Sequence, residues 1–331
     1  MAVLGTAFNL VDWAKRRDPD GKAAAVAELL AQTNSILDDM LWKEGNLPTG
    51  HRLTVRTGLP TSYWRLLNQG VQPSKSTTAQ IDESCGMLEA YSVLDKDLVE
   101  LNGDVASTRL TEASAHIEGM NQEMASTLFY GNVGLNPEEF NGLAVRYSSL
   151  SAANGQNIIN ASGAGSDNSS IWLVCWGENT VHGIFPKGSK AGLVRNDLGL
   201  DVVDNAGGVA GAKMMAYQEH FQWKCGLALK DWRYAVRIAN IDISNLAAGS
   251  GADLINLMIK AIHRIPSLKL GKPVFYMNRS CFQYLDIQRR DDVISGGGLV
   301  YNQVDGVLVP SFRGIPIKLV DALTETESVV S

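Results

Sequence analysis

The sequence is short of the residues that usually betray chemistry. Its four cysteines, Cys85, Cys175, Cys225 and Cys281, lie far apart and form no C-x-x-C pair, which argues for reduced core thiols over a disulfide set. Of the five histidines, His51, His116, His182, His220 and His263, no two fall at ligand spacing on one predicted element. Glu112 and His116 share a helix face, but two groups make no metal site and an ion pair accounts for them. There is no G-x-S-x-G elbow for a serine nucleophile. Gly207, Gly208, Gly211 and Lys213 have the wrong spacing for a phosphate loop, with Met214 where a hydroxyl should bind magnesium. Gly163 and Gly165 in ASGAGS do not sit between a strand and a helix, so a dinucleotide fingerprint is also absent. Long apolar runs are lacking, and nothing spans a bilayer. MAVLGTAFNLVDWAKRR places its basic residues after its apolar ones, the reverse of a secretory signal, so the chain is expected to be cytosolic when made. A formal net charge of −6 argues against tight capture of nucleic acid as the main task. No catalytic residue, cofactor or metal is expected, and the chain reads as something other than an enzyme.

What is present is architecture. With 331 residues, 45% of them hydrophobic, there is material for one large or two ordinary domains. The longest helical signal runs from Asp104 to Tyr130. Leu110, Ala113, Ile117, Met120, Met124 and Leu128 recur there at steps of three and four, which predicts one apolar stripe. Asn102 and Asp104 are the expected caps, and Gly131 with Asn132 the expected left-handed stop. At 1.5 Å per residue such a rod is about 40 Å long, a scaffold beam.

Before it, the alanine- and leucine-rich run from Asp20 to Trp42 predicts a helix, with a break open at Thr33 and Asn34. His51 to Thr57 and Ser62 to Asn68 read as strands, followed by a polar, thinly apolar stretch from Gly70 to Gly86. About forty residues with two strands and little to bury would be unstable alone, so this excursion borrows stability from a neighbour; an ordinary surface hairpin is the other reading. After the beam, Asn154 to Ser170 reads as a flexible loop. Ile171 to Gly177 is apolar on successive positions, as a central strand covered on both faces would be. Long strands punctuated at Gly226 and Asp231 follow, then a helix from Ala252 to Ile265 stopped by Pro266. Pro273 to Asn278 is a strand whose Asn278 caps a helix from Arg279 to Arg289. Gly296, Gly297 and Gly298 mark a loop before the closing strands. The clusters Lys15 to Arg17, Lys187 with Lys190, and Arg289 with Arg290 read mainly as solvated charge.

Five stretches, in this order, carry a family resemblance: FNGLAVRYSSL (Phe140 to Leu150), SIWLVCWGENTVHGIFPKGSKAGL (Ser170 to Leu193), WRYAVRIANIDIS (Trp232 to Ser244), PVFYMNRS (Pro273 to Ser280) and FRGIPIKLVDALTETE (Phe312 to Glu327). Over nearly its whole length the chain resembles the major capsid proteins of tailed bacteriophages with the Hong Kong 97-type fold, an α+β class. A short-tailed phage of Bordetella is the expected source.

The resemblance implies a partition. Residues 1–46 would be the amino-terminal arm and first helix, 47–88 the extended loop, and 89–159 the peripheral domain with its spine helix at 104–130. Residues 160–211 and 247–306 would form the axial domain, 212–246 the long peripheral strands, and 307–331 the closing strand and carboxyl terminus. It implies a self-assembling icosahedral shell of hexamers and pentamers enclosing double-stranded DNA in the virion, built in the host cytoplasm without membrane contact. Expected partners are copies of the chain, a portal, a separate scaffolding protein (since only a short arm precedes the first helix) and a decoration protein. Leu53, Val55, Arg56, Tyr63, Trp64, Arg65, Leu66 and Lys75 are the expected inter-subunit residues, and Lys15, Arg16 and Arg17 would make weak non-specific contact with DNA. Lys75 has no identifiable asparagine partner or catalytic glutamate, so no covalent cross-link between subunits is expected. An encapsulin-type compartment and, more remotely, a soluble enzyme with an unrecognised site are the competing readings.

Overall fold

The computed structural model describes residues 31–101, 104–204, 210–291, 299–304 and 307–331. In chain order the elements begin with α1 (Ile36–Asp39), β1 (Trp42–Glu44), β2 (Gly50–Gly58), β3 (Thr77–Ser84), β4 (Gly86–Asp95) and α2 (Lys96–Glu100). Then come α3 (Val105–Tyr130), α4 (Leu143–Arg146), β5 (Ile158–Asn160), β6 (Asn168–Trp176), β7 (Val181–Phe185), β8 (Leu193–Asp204) and β9 (Lys213–Leu229). The last are β10 (Ala235–Asp242), α5 (Ile243–Ala247), α6 (Leu254–Arg264), β11 (Lys272–Met277), α7 (Arg279–Asp291), β12 (Leu299–Val304), β13 (Val307–Phe312) and β14 (Ile315–Leu319). They fall into two compact units: 87–125 with 192–224, and 34–86 with 126–191 and 225–331.

The larger unit is organised on β6, every residue of which is buried. Its sequence, NSSIWLVCW, has no polar face after Ser170, so it needs cover above and below as well as strands on both edges. β10 pairs antiparallel on one edge and β11 antiparallel on the other. β11 passes the sheet on, parallel, to β14, then antiparallel to β13 and β12. The helix α6 lays Leu254, Leu257, Met258 and Ala261 on the sheet, and α7 adds Cys281 and Leu285. Both helices start as their sequences dictate. The Asp253 carboxylate accepts from the Asn256 amide, and the Asn278 side chain accepts from Cys281 N at 2.8 Å. β1 pairs parallel with β7, and the last residues of β9 pair antiparallel with its other edge.

In the smaller unit β8 and the first part of β9 form a long antiparallel ladder from Leu193↔Trp223 to Asp204↔Lys213. Ala113 and Met120 of α3 pack on Phe221 of β9, with Leu88 and Ala90 of β4 beside them. Arg109 on the same helix reaches Asp197 at 2.6 Å and Glu219 at 2.8 Å.

Several expectations are corrected. The described part of the first predicted helix is helical only over Ile36–Asp39, and Trp42–Glu44 is a strand, because pairing with β7 outweighs the local helical signal. The beam forms as expected, with Asp104 capping Ser107 N, but its stripe is incomplete: Ala113, Met120, Met124 and Leu128 are buried, whereas Leu110 is 63% exposed and Ile117 is exposed too. Gly131 is no left-handed stop. A Cβ there would lie 2.4 Å from the Phe140 carbonyl oxygen, so glycine is needed for close chain return. Likewise β9 runs unbroken through Gly226, whose missing side chain admits the Ser84 carbonyl, 2.5 Å from where a Cβ would be. The predicted loop after Asn154 contains β5, and the boundary between 211 and 212 falls in the turn joining β8 to β9. Gly296, Gly297 and Gly298 lie outside the described residues.

Met124→Ala should lower the unfolding free energy by about 2–5 kcal/mol, as emptied core positions do, whereas Leu110→Ala on the same helix should change it by less than about 0.5 kcal/mol. Urea unfolding of the two variants checks this.

Candidate functional site

β2 and β3 form a two-stranded hairpin, in register from Gly50↔Ser84 to Arg56↔Thr78 and on to Gly58↔Thr77. The outgoing strand is where the sequence places it, but Ser62 to Asn68 is not a strand. The returning strand comes from the polar stretch, where Thr77, Thr78 and Ile81 supply β-branched residues and cross-strand hydrogen bonds rather than burial define the pair. Two-stranded hairpins are marginal in water, so the root must be held.

Four contacts hold it. Leu53 is 4% exposed and packs on Ile184 and Ala228. The buried Glu83 carboxylate accepts from both Arg146 Nη1 and Nη2, at 2.6 and 2.7 Å, and Arg146 also donates to the Leu227 and Asn141 carbonyls. The Asn46 side chain donates to Arg52 O at 2.9 Å and accepts from Arg52 N at 2.7 Å. Asn46 N donates to His51 Nδ1 at 3.2 Å, which fixes that ring with its proton on Nε2. The exposed Arg52–Asp82 pair across the hairpin holds the Asp82 carboxyl below the usual range, but solvent leaves such a pair little weight in stability.

His182 of β7 lies under this root. It is buried, its ring stands edge-on to His51 at 6.1 Å between centroids, and neither ring nitrogen has a hydrogen-bond partner among the described residues. Burial, then the neighbouring His51, Lys43 and Lys230, lower its pKa to about 4, with Glu178 opposing.

Beyond the root the hairpin is uncovered. Val55 is half-buried and Arg56 exposed, and both line an open cleft with Asn179, Lys230 and Trp232. Tyr63, Trp64, Arg65, Leu66 and Lys75 are exposed, Trp64 wholly so. Between Leu59 and Ser76 there is no strand, and the hydrogen bonds within the loop include Gln69 N to Leu66 O and Ser74 Oγ to Thr61 O. Leu53 is therefore a correction: of the expected contact residues it is the one spent inside its own chain, because its alternation in β2 points it into the sheet. Leu59, Leu67 and Val71 are equally exposed and went unremarked in the sequence, although they share the same acid-free run. Lys15, Arg16 and Arg17 lie outside the described residues.

Elsewhere the polar interior is structural. Arg237 pairs with Glu327 at 2.8 Å, and Glu327 also accepts from Tyr130 OH and Ser170 Oγ. Asn240, at φ +61° in a bulge of β10, exchanges hydrogen bonds with Val330 N and O and ties down the carboxyl-terminal segment. Burial raises the thiols of Cys85 and Cys175 to about 11 and that of Cys281 to about 12, so they stay protonated at neutral pH. No described helix is long and apolar enough to cross a membrane.

A sequence profile of the family described as "Major capsid protein GP7" matches residues 18–331. The chain belongs to the major capsid proteins of tailed bacteriophages. The solved capsid structure of bacteriophage Epsilon15 is 34% identical, with 100% of this chain and 99% of that chain covered and a TM-score of 0.79. The bacteriophage JBD30 capsid is 9% identical, covering 89% and 92% at a TM-score of 0.49. The SrpI encapsulin of Synechococcus elongatus is 11% identical, covering 71% and 96% at 0.43. No curated protein sequence matches. The capsid protein is thus a shell component of the Hong Kong 97-type fold, resident in the virion, and the enzyme reading falls. The profile match and the Epsilon15 identity also decide between capsid and encapsulin.

Two measurements test the root. Glu83→Ala leaves the Arg146 guanidinium buried without its counter-charge and should cost about 3–5 kcal/mol in urea unfolding, with faster amide exchange in β2 and β3. For His182 the folded pKa, about 4, lies below the reference 6.5, so its contribution is present above pH 6.5 and lost as pH falls towards 4. The melting temperature of the unassembled subunit should fall through that window, and less steeply in His182→Phe.

Proposed function

We propose that the uncovered loop, residues 59–76, is the grip by which one copy holds the next, and that copies so joined form the hexamers and pentamers of the shell. The observation that carries this reading is the contiguous exposure of Leu59, Tyr63, Trp64, Leu66 and Leu67 on an extension whose root is firmly anchored. Soluble chains seldom leave such a patch to water unless something covers it. In a closed shell each contact is repeated by symmetry, with the extension of one subunit reaching a different surface of its neighbour. Covered apolar area contributes about 25 cal/mol per Å², multiplied over every copy.

On this reading the hairpin is the extended loop of the fold and α3 its spine helix, with the arm at 1–46 and the axial domain drawn from 160–211 and 247–306. Family likeness supports assembly in the host cytoplasm around a separate scaffolding protein, with a portal and a decoration protein as further partners. Double-stranded DNA would be enclosed through weak contacts, Lys15, Arg16 and Arg17 among them. The acidic net charge supports weak rather than tight contact.

Replacing residues 59–76 by a two-residue Asn-Gly turn keeps Leu53 and Glu83 in place and should give a folded subunit that forms no particles. Wild-type circular dichroism and melting, with sedimentation and electron microscopy showing only unassembled protein, is the expected result. Normal shells would overturn the assignment.

A further inference from the structure

β8 is a twelve-residue strand with one paired edge. Its ladder is with β9, and among the described residues no strand lies along its other side. Open edges of that length are usually blunted by lysine, proline, a bulge or cover; β8 has a bulge at Asp197–Gly199, and beyond it, from Leu200 to Asp204, the sequence holds neither lysine nor proline. What it holds instead is a chemical pattern. Leu200 and Val202 are exposed at alternate positions on either side of Asp201, Leu198 is exposed in the bulge between Asp197 and Gly199, and Asp204 follows. The one cation of the strand, Arg195, is spent on Glu219 at 2.9 Å. This edge is apolar and acidic.

The loop of residues 59–76 has the complementary pattern. It contains no aspartate or glutamate, it exposes Arg65 and Lys75, and its large exposed side chains are aromatic or aliphatic. Its backbone has no strand partner. We propose that the loop of one copy docks along the open edge of β8 in a second copy, covering Leu198, Leu200 and Val202 with Trp64, Leu66 and Leu67 and setting Arg65 and Lys75 against Asp201 and Asp204. This rests on the reading of the loop as the grip between copies and names the surface it grips. Asp197 is held by Arg109 and contributes to the fold, whereas the partner of Asp204 among the described residues is an exposed lysine, Lys213, at 3.5 Å. Like charges brought face to face at an interface cost several kcal/mol, so the pairing is open to a swap of sign.

The full chain carrying Asp201→Lys with Asp204→Lys, and separately Arg65→Glu with Lys75→Glu, should each lose about tenfold or more in particle yield by sedimentation, with subunit melting unchanged. All four substitutions together should restore most of the yield. A combined variant no better than the worse pair, with both pairs folded, overturns the site. So does unchanged yield in either pair. As a second measurement, Leu66→Cys with Leu200→Cys, oxidised with diamide after assembly, should give ladders on non-reducing gels that neither single variant gives. Absence of ladders counts against the site. The Asn-Gly loop replacement separates the two levels: shells from that variant sink the loop as grip, whereas its failure to assemble without charge-swap rescue sinks only the β8 edge.

Discussion

Everything in the larger unit depends on burying both faces of β6. Nine consecutive buried residues in one strand require strands on both edges and layers on both sides, and the chain supplies these from distant segments: β10, β11, α6 and the carboxyl-terminal residues. The cost of such a strand is its polar start. Asn168, Ser169 and Ser170 enter the core, and each needs a partner there. Ser170 meets Glu327 and Arg237, Asn278 donates to Ser169, and Glu327 N donates to Asn168 O. The tail is thereby fixed by the needs of a strand more than 150 residues earlier in the chain, as the Ser170–Glu327 separation of 157 shows. Such a network tolerates little change, because removing one member leaves others buried and unpaired; Asn168 Oδ1 is already without a hydrogen-bond partner among the described residues.

That rigid sheet makes the hairpin useful. A flexible extension would lose conformational entropy on every contact it made, of order 1–2 kcal/mol per residue fixed. Here β2 and β3 are already fixed by Leu53, by Asn46 and by the Glu83–Arg146 fork, so the cost of ordering them is met within the subunit. On the proposed reading, the residues that meet the next copy, 59–76, are thus carried on strands that need no further ordering. The division between inward and outward residues follows the strand period: Leu53 faces the sheet, while its neighbours Arg52 and Thr54 face water.

Much of this was legible in the residues. The beam, the central strand, the Asn278 cap and the outgoing hairpin strand follow from periodicity and capping chemistry, and the family followed from five ordered stretches. The failures have a common cause. Leu110 and Ile117 fit the helical stripe, yet both are exposed. Trp42–Glu44 obeyed an edge partner and not local propensity. Thr77–Ser84 has too little apolar content to be seen as a strand, because its stability comes from pairing. Gly131 and Gly226 looked like stops, but each serves a close approach by a carbonyl from elsewhere. Local signals show which conformations a segment can adopt; non-local partners select among them. For a shell protein some of those partners belong to other copies, and on the proposed reading the exposed loop is where they act.

Charge sets a further constraint on assembly. Each copy carries a formal charge of −6, so identical subunits repel as they approach, and the repulsion is screened only beyond about 8 Å at physiological salt. Closing a shell therefore needs contacts that are locally opposite in sign or apolar. On the proposed reading the acid-free loop meets that need through its two cations, Arg65 and Lys75, both exposed. Apolar side chains such as Trp64 and Leu67 then add a term that salt does not weaken. Steering by charge followed by holding through buried area lets misplaced copies separate before the apolar residues are covered. A lattice that must close without defects needs this order of events, because a contact that was strong at first touch would trap errors.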